Sequence, residues 1–141
     1  MSDVAGKSSP RIRPQFRNIH VSQLFYYRLP LAGIVSILHR ISGALLFLIG
    51  IPFVLYLLQQ SITSELSFEK YRELTSHWFA RLVLLGLIWS YLHHFCAGIR
   101  YLVLDLHVGI SKEQSHASSI AVLVVSLVLT FLVALKLFGA F

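Results

Sequence analysis

The stretch Ser36–Gly50, "SILHRISGALLFLIG", begins the first long apolar segment of the chain. From Ile41 to Leu58 the sequence contains no Asp, Glu, Lys, Arg or His, which is a run long enough to lie in hydrocarbon. His39 and Arg40 stand side by side where this run begins, with Ser36 one helical turn before Arg40. Because a charge in or near the bilayer interior is costly without a partner, this basic pair predicts an anionic group nearby.

The composition points to an integral membrane protein. Of the 141 residues, 56% are hydrophobic and 13% are charged, whereas soluble domains carry about 25% charged residues. The single cysteine, Cys96, excludes an internal disulfide and a multi-cysteine metal centre. The chain has 12 Lys and Arg against 6 Asp and Glu. In a membrane protein, such a basic excess helps to set which end faces the cytoplasm and favours contact with anionic membrane lipid. The sequence contains no DNA-binding motif, so it does not suggest nucleic acid as a partner.

Three apolar stretches, at about 31–58, 79–104 and 117–137, are each long enough to cross a bilayer. We therefore predict an all-α membrane protein, with residues 1–29 as a cytoplasmic N-terminal arm and 30–141 as a three-helix transmembrane domain. Pro30 suits the first turn of the first helix, and Pro52 should kink that helix. A short amphipathic turn is expected at Ser67–Leu74 in the first linker.

The distribution of basic residues favours an N-terminus in the cytoplasm and a C-terminus outside, because cytoplasmic segments carry more Lys and Arg. The predicted cytoplasmic side has Lys7, Arg11, Arg13, Arg17, Arg28, Arg100 and Lys112. The opposite side has Lys70, Arg72, Arg81 and Lys136.

The second span contains the segment Tyr91–Asp105, "YLHHFCAGIRYLVLD". Histidines inside an apolar span are candidate functional groups, and a neutral imidazole is a good axial ligand for haem iron. Adjacent residues point about 100° apart on a helix, so only one histidine can face a given cofactor. His94 is the better candidate because it shares its face with Gly98, which leaves room for a flat macrocycle or a neighbouring helix. The alternative is that His93 and His94 both hydrogen-bond to a neighbouring helix.

Depth in the membrane links His94 to the basic pair. Arg40 lies ten residues from Pro30, about 15 Å along the helix, and His94 lies eleven residues from Asp105, about 16 Å. A haem held by His94 would have its propionates within reach of Arg40, His39 and Arg100, since guanidinium groups bind carboxylates well. No further histidine lies deep in a span, so a second axial ligand would come from another chain.

Ser36 and Arg40 are four residues apart and share one helix face. A hydroxyl and a guanidinium at the cytoplasmic end could hydrogen-bond a quinone carbonyl. The alternative is that Ser36 bonds to its own helix and that Arg40 reaches lipid headgroups.

The segments "SILHRISG" at Ser36–Gly43 and "HHFCAGIRYLVLD" at His93–Asp105 resemble the two signatures of the cytochrome b556 membrane-anchor subunits of succinate dehydrogenase. The resemblance implies an anchor for a flavoprotein subunit and an iron–sulfur subunit in the bacterial inner membrane. It also implies a second small anchor subunit that shares one haem b, and electron transfer from succinate to ubiquinone in the respiratory chain and the tricarboxylic acid cycle.

Residue by residue, the family's axial ligand corresponds to His94. Its quinone-site residues correspond to Ser36 and Arg40, and its propionate contacts include His39 and Arg40. The family often has a histidine where this chain has Tyr101, so a propionate contact from that position does not carry over directly.

Other functions remain open at this stage. A fumarate reductase anchor would run the reverse reaction, and the sequence does not set the direction. A small proton-conducting transport subunit is a second alternative, although no acidic residue lies inside a span. A purely structural anchor without haem is a third. In each of these readings the chain supplies no nucleophile or base for catalysis by itself.

Overall fold

The computed structural model describes residues 20, 22–23 and 26–139, and every regular element within those ranges is helical. The expected roles of Lys7, Arg11, Arg13 and Arg17 in the N-terminal arm lie outside the described residues. The elements are α1 (Leu31–Leu45), a π-helical turn (Leu46–Gly50), α2 (Ile51–Ile62), α3 (Glu65–Ser76), α4 (Trp78–Asp105) and α5 (Lys112–Leu137).

The prediction of three membrane-spanning helices is confirmed. α1, the π-helical turn and α2 form one continuous span of 32 residues, and α4 and α5 form the other two, of 28 and 26 residues. All three are long and apolar enough to cross a bilayer.

The first span begins and changes geometry at prolines. Pro30 directly precedes α1, and its carbonyl accepts hydrogen bonds from the amides of Gly33 and Ile34 at 2.9 and 3.1 Å. Pro52 has no amide hydrogen to donate to the carbonyl four residues earlier. The helix widens into the π-helical turn directly before it, where the Ile51 amide donates to the Leu46 carbonyl five residues back. The span accommodates Pro52 without ending.

The linker between the first two spans is helical. Ser64 caps α3, because its hydroxyl accepts from the Ser67 amide at 3.2 Å while its own amide donates to the Ser67 hydroxyl at 2.9 Å. The expected amphipathic turn is therefore a longer helix, which begins two residues earlier than predicted. His77, with an extended backbone, ends α3 and precedes α4.

The connection between α4 and α5 is a tight reversal. His107 has the left-handed φ of 60°, and its amide and that of Val108 donate to the carbonyls of Leu104 and Val103, which is a Schellman arrangement. Ser111 then caps α5 through the Gln114 amide at 3.2 Å. The capping places the start of α5 at Lys112, five residues before the expected start of the apolar span.

The three spans pack against one another, with contacts between α1 and α4, α4 and α5, and α1 and α5. The core is small and contains Val35, Ala97 and Val122, with His93 and several serines buried beside it. Many large apolar side chains, such as Phe47, are exposed on the outside. In a membrane such a surface contacts lipid or neighbouring helices.

Candidate functional site

His94 lies where α4 packs against α1. Its Nδ1 atom is 3.0 Å from the His39 backbone carbonyl and 3.3 Å from the Ser42 hydroxyl. The His94 and His39 rings stack with their centres 4.1 Å apart and 13° between their planes. The structure thus brings His94 against His39, the neighbour of Arg40, whose depth along the first span was predicted to match that of His94.

The hydrogen bond to the His39 carbonyl defines the tautomer of the neutral His94 ring. A carbonyl oxygen only accepts hydrogen bonds, so Nδ1 carries the hydrogen in the neutral ring. Nε2 then holds the free lone pair, and a metal-ligating histidine commonly has its other nitrogen bonded to a backbone carbonyl in this way. The chemistry of this donor set therefore fits axial ligation of a haem iron by His94 Nε2.

Two small residues of α1 make room for the His94 ring, and neither was identified from the sequence. A Cβ atom added at Gly43 would lie 2.9 Å from Cε1 of His94, closer than real Cβ contacts allow. Ser42 is fully buried and donates its hydroxyl hydrogen to the His39 carbonyl at 2.9 Å. Gly43 lies four residues after His39, and that spacing on one helix face is the signal that could have revealed it.

Gly98 also faces α1. A Cβ atom added at Gly98 would approach Nε2 of His39 to 3.9 Å. Of the two uses expected for this glycine, the structure shows close contact with a neighbouring helix.

His93 has a different environment from His94. It is 0% exposed, stacks on Trp89 with ring centres 5.5 Å apart, and has Nδ1 3.5 Å from the Ser126 hydroxyl on α5. Its Nε2 atom is buried and has no hydrogen-bond partner among the described residues. Because the ring is enclosed by the three spans, no open side remains for a macrocycle, and His93 does not fit the role of haem ligand.

Ser36 and Arg40 lie on α1 beside the histidine pair. They are roughly 40° apart around the helix, with Ser36 partly buried and Arg40 exposed. Unlike Ser42, Ser36 makes no hydrogen bond from its hydroxyl to a residue that the structure describes. Arg40 likewise has no carboxylate within salt-bridge distance in the described ranges, so both polar groups are free to meet a ligand.

The Arg100 side chain points toward α5 and not toward His39 and His94. It is 7% exposed and contacts α5, with Nε 3.0 Å from the Ser118 hydroxyl and Nη2 3.0 Å from the Ser115 hydroxyl. The structure therefore does not bring Arg100 together with His39 and His94. Tyr101 is nearer to them, with its ring centre 5.2 Å from that of His39. Its hydroxyl is buried and has no hydrogen-bond partner in the part of the chain that the structure describes.

These features define an integral membrane protein of three spans, in which one imidazole is bonded through Nδ1 to a backbone carbonyl at the packing surface between two of them. A family model described as the succinate dehydrogenase/fumarate reductase transmembrane subunit matches residues 13–133. The chain therefore belongs to this family, as the two sequence signatures predicted.

Individual relatives are similar over most of their length, and each is named a succinate dehydrogenase cytochrome b556 subunit. The protein from Paracoccus denitrificans is 37% identical over 112 residues, which cover 79% of this chain and 85% of that protein. The protein from Coxiella burnetii is 36% identical over 104 residues, covering 72% and 82%. The protein from Rickettsia prowazekii is 29% identical over 109 residues, covering 77% and 84%.

Proposed function

We propose that this chain is the haem-binding and quinone-binding membrane anchor of a succinate dehydrogenase. The observation that carries the proposal is the bond from His94 Nδ1–H to the His39 carbonyl, which leaves Nε2 as a ligand. The names of the similar proteins support the reaction direction, because each is called a succinate dehydrogenase subunit. A fumarate reductase anchor remains the alternative within the family.

When bound, a b-type haem would supply a one-electron redox centre. His94 would hold its iron, and the hydrogen bond to α1 would keep the imidazole in a fixed orientation and tautomer. His39 and Arg40 would bind the propionates, because His39 stacks on His94 and the adjacent, exposed Arg40 has no carboxylate of the described residues within salt-bridge distance. Arg100, the third propionate contact predicted from the sequence, is not included in this proposal, because its guanidinium is bonded to α5.

The second axial ligand would come from a second small anchor subunit. His39 is unsuited to hold the same iron, because its ring is stacked against the His94 ring. His93 is enclosed in the core. Of the further histidines in the described ranges, His20, His77 and His107 lie outside the spanning helices, and His116 is only the fifth residue of α5.

Ser36 and Arg40 would bind ubiquinone at the cytoplasmic end of the first span. The Ser36 hydroxyl can donate to one quinone carbonyl, and the Arg40 guanidinium stabilises negative charge that develops on the oxygen during reduction. The electrons would arrive from succinate through the flavoprotein and iron–sulfur subunits, docked on the cytoplasmic face of a bacterial inner membrane. The chain's own residues bind and orient; they form no covalent bond with substrate.

The test compares two activities of the purified complex: succinate oxidation with ubiquinone and with a soluble artificial acceptor. Arg40→Leu should lower quinone reduction about 10- to 100-fold and Ser36→Ala about 2- to 10-fold, as expected for losing a charged and a neutral hydrogen bond. Activity with the artificial acceptor should not change. Ile34→Ala, on another face of α1, is the matched control and should leave both activities intact.

Equal loss of both activities in Ser36→Ala and Arg40→Leu would indicate failed assembly and not a quinone site. Unchanged quinone reduction in both variants would contradict the proposed site.

A further inference from the structure

A groove runs between α4 and α5 on the outside of the bundle, with a cavity volume of about 350 Å³. Its walls are almost entirely apolar. They are formed by Ile99, Val103 and Leu104 of α4 and by Ala121, Val122 and Val125 of α5. Arg100 and Ser118 are the charged and hydroxyl side chains among the lining residues.

Arg100 is a cation without an anion in this groove. Its side chain is more than nine-tenths buried. Its hydrogen bonds go to neutral groups: the Ser118 hydroxyl at 3.0 Å, the Ser115 hydroxyl at 3.0 Å and the Ser115 carbonyl at 3.3 Å. No carboxylate of the described residues lies within salt-bridge distance, and a buried charge is strongly favoured by an opposite charge.

The groove lies on the side of α4 away from the proposed haem ligand. At about 100° per residue, the lining residues Cys96, Ile99 and Val103 are roughly 140° to 200° around α4 from His94. A partner that shares a cofactor with His94 would therefore approach a different face of the helix. This leaves the groove free for another occupant.

The depth of the groove matches one leaflet of a bilayer. Its shallow end includes Val108 and Gly109 of the α4–α5 connection, and Arg100 lies five residues, about 7.5 Å, from the end of α4. Its deep end reaches Cys96, about 13.5 Å from the same helix end. Half of the hydrocarbon thickness is about 15 Å.

We propose that this groove binds an anionic phospholipid of the leaflet on the side of the α4–α5 connection. The Arg100 guanidinium and the Ser118 hydroxyl bind the phosphate, since a guanidinium pairs well with phosphate oxygens. One acyl chain lies along the apolar walls toward Cys96 and Val125. The phosphate supplies the anion that Arg100 lacks, and the acyl chain covers apolar surface that the bundle leaves open.

The experiment uses the purified, delipidated complex and follows the thermal unfolding midpoint on adding phosphatidylglycerol or phosphatidylcholine. Native mass spectrometry of the complex before delipidation counts the anionic lipid retained from the membrane. Ala121→Trp fills the groove, and Leu127→Trp places the same side chain on an exposed part of α5 outside it. Arg100→Gln keeps hydrogen-bonding capacity but removes the charge.

The wild type and Leu127→Trp should retain at least one anionic lipid, and phosphatidylglycerol should raise their unfolding midpoint more than phosphatidylcholine does. Ala121→Trp and Arg100→Gln should lose this lipid. The difference in midpoint shift between phosphatidylglycerol and phosphatidylcholine should fall by more than about half in both variants, because one blocks the groove and the other removes the charge that pairs with the phosphate. Equal retention and equal midpoint shifts in Ala121→Trp and Leu127→Trp would overturn the proposal.

A photoreactive side chain in place of Val103 gives a second readout that does not depend on the stability of these variants. Crosslinking to phospholipid supports the proposal. Crosslinking to another subunit or to a second copy of this chain would show that protein covers the groove and would overturn it.

Discussion

The two ring nitrogens of His94 have different surroundings, and this asymmetry is the basis of its proposed role. Nδ1 is committed to the His39 carbonyl, so Nε2 remains for a metal. His93, its neighbour in sequence, turns its ring toward Ser126 in the core. A rotation of about 100° between adjacent helical residues is enough to separate a candidate ligand from a structural residue.

Gly43→Ala should displace the His94 ring, because the new methyl group would lie 2.9 Å from Cε1. We expect haem per complex, measured by the pyridine haemochrome, to fall by more than about half, since small displacements of oriented ligands have large effects. Gly86→Ala is the matched control, as an added Cβ there meets no atom within 4 Å. Equal haem content in the two variants would contradict the packing role of Gly43.

Residue counting along helices predicted that Arg40 and His94 lie at similar depth, because the rise per residue is nearly constant. It could not predict the direction of Arg100, which depends on the position of the α5 serines around the bundle. It also missed Ser42 and Gly43, because their importance arises from a contact with a residue more than fifty positions away.

The three spans could be predicted from hydropathy because each is long and apolar. The exact residues at which the helices begin and end could not be predicted in this way, since they depend on individual capping hydrogen bonds. Ser111 extends α5 beyond its apolar part, and the π-helical turn accommodates Pro52 within the first span. The amphipathic linker was predicted as a turn, yet the Ser64 cap makes it the full helix α3.

Ser64→Ala should loosen the start of α3, because it removes the side chain that accepts from the Ser67 amide. Loss of such a cap costs about 1 kcal/mol, which corresponds to about fivefold faster hydrogen exchange of the first-turn amides. Ser61→Ala, whose hydroxyl donates only to the Leu58 carbonyl within α2, should not change exchange in α3. Unchanged protection in Ser64→Ala would show that packing alone holds this end of the helix.

At the scale of the whole molecule, three spans with short connections place α3 on one side of the membrane and the α4–α5 connection on the other. The basic residues favour a cytoplasmic α4–α5 connection. The exposed apolar surface around the bundle is large, which suits a subunit that packs beside other membrane helices.

The orientation can be tested with single cysteines in a Cys96→Ser background. A membrane-impermeant maleimide should label a cysteine in place of Lys70 of α3 in intact spheroplasts, because we expect α3 to face the periplasm. It should label a cysteine in place of Lys112 of α5 only in inverted vesicles. The reverse pattern would contradict the proposed topology.

We propose that His94, and not His93, holds the haem iron. The reduced-minus-oxidised visible spectrum of the purified complex from wild type, His94→Ala and His93→Ala tests this assignment. We expect a low-spin b-type band in the wild type that is lost in His94→Ala, returns when imidazole is added to fill the vacated position, and survives in His93→Ala. A band that survives in His94→Ala and disappears in His93→Ala would show that the ligand is His93 instead.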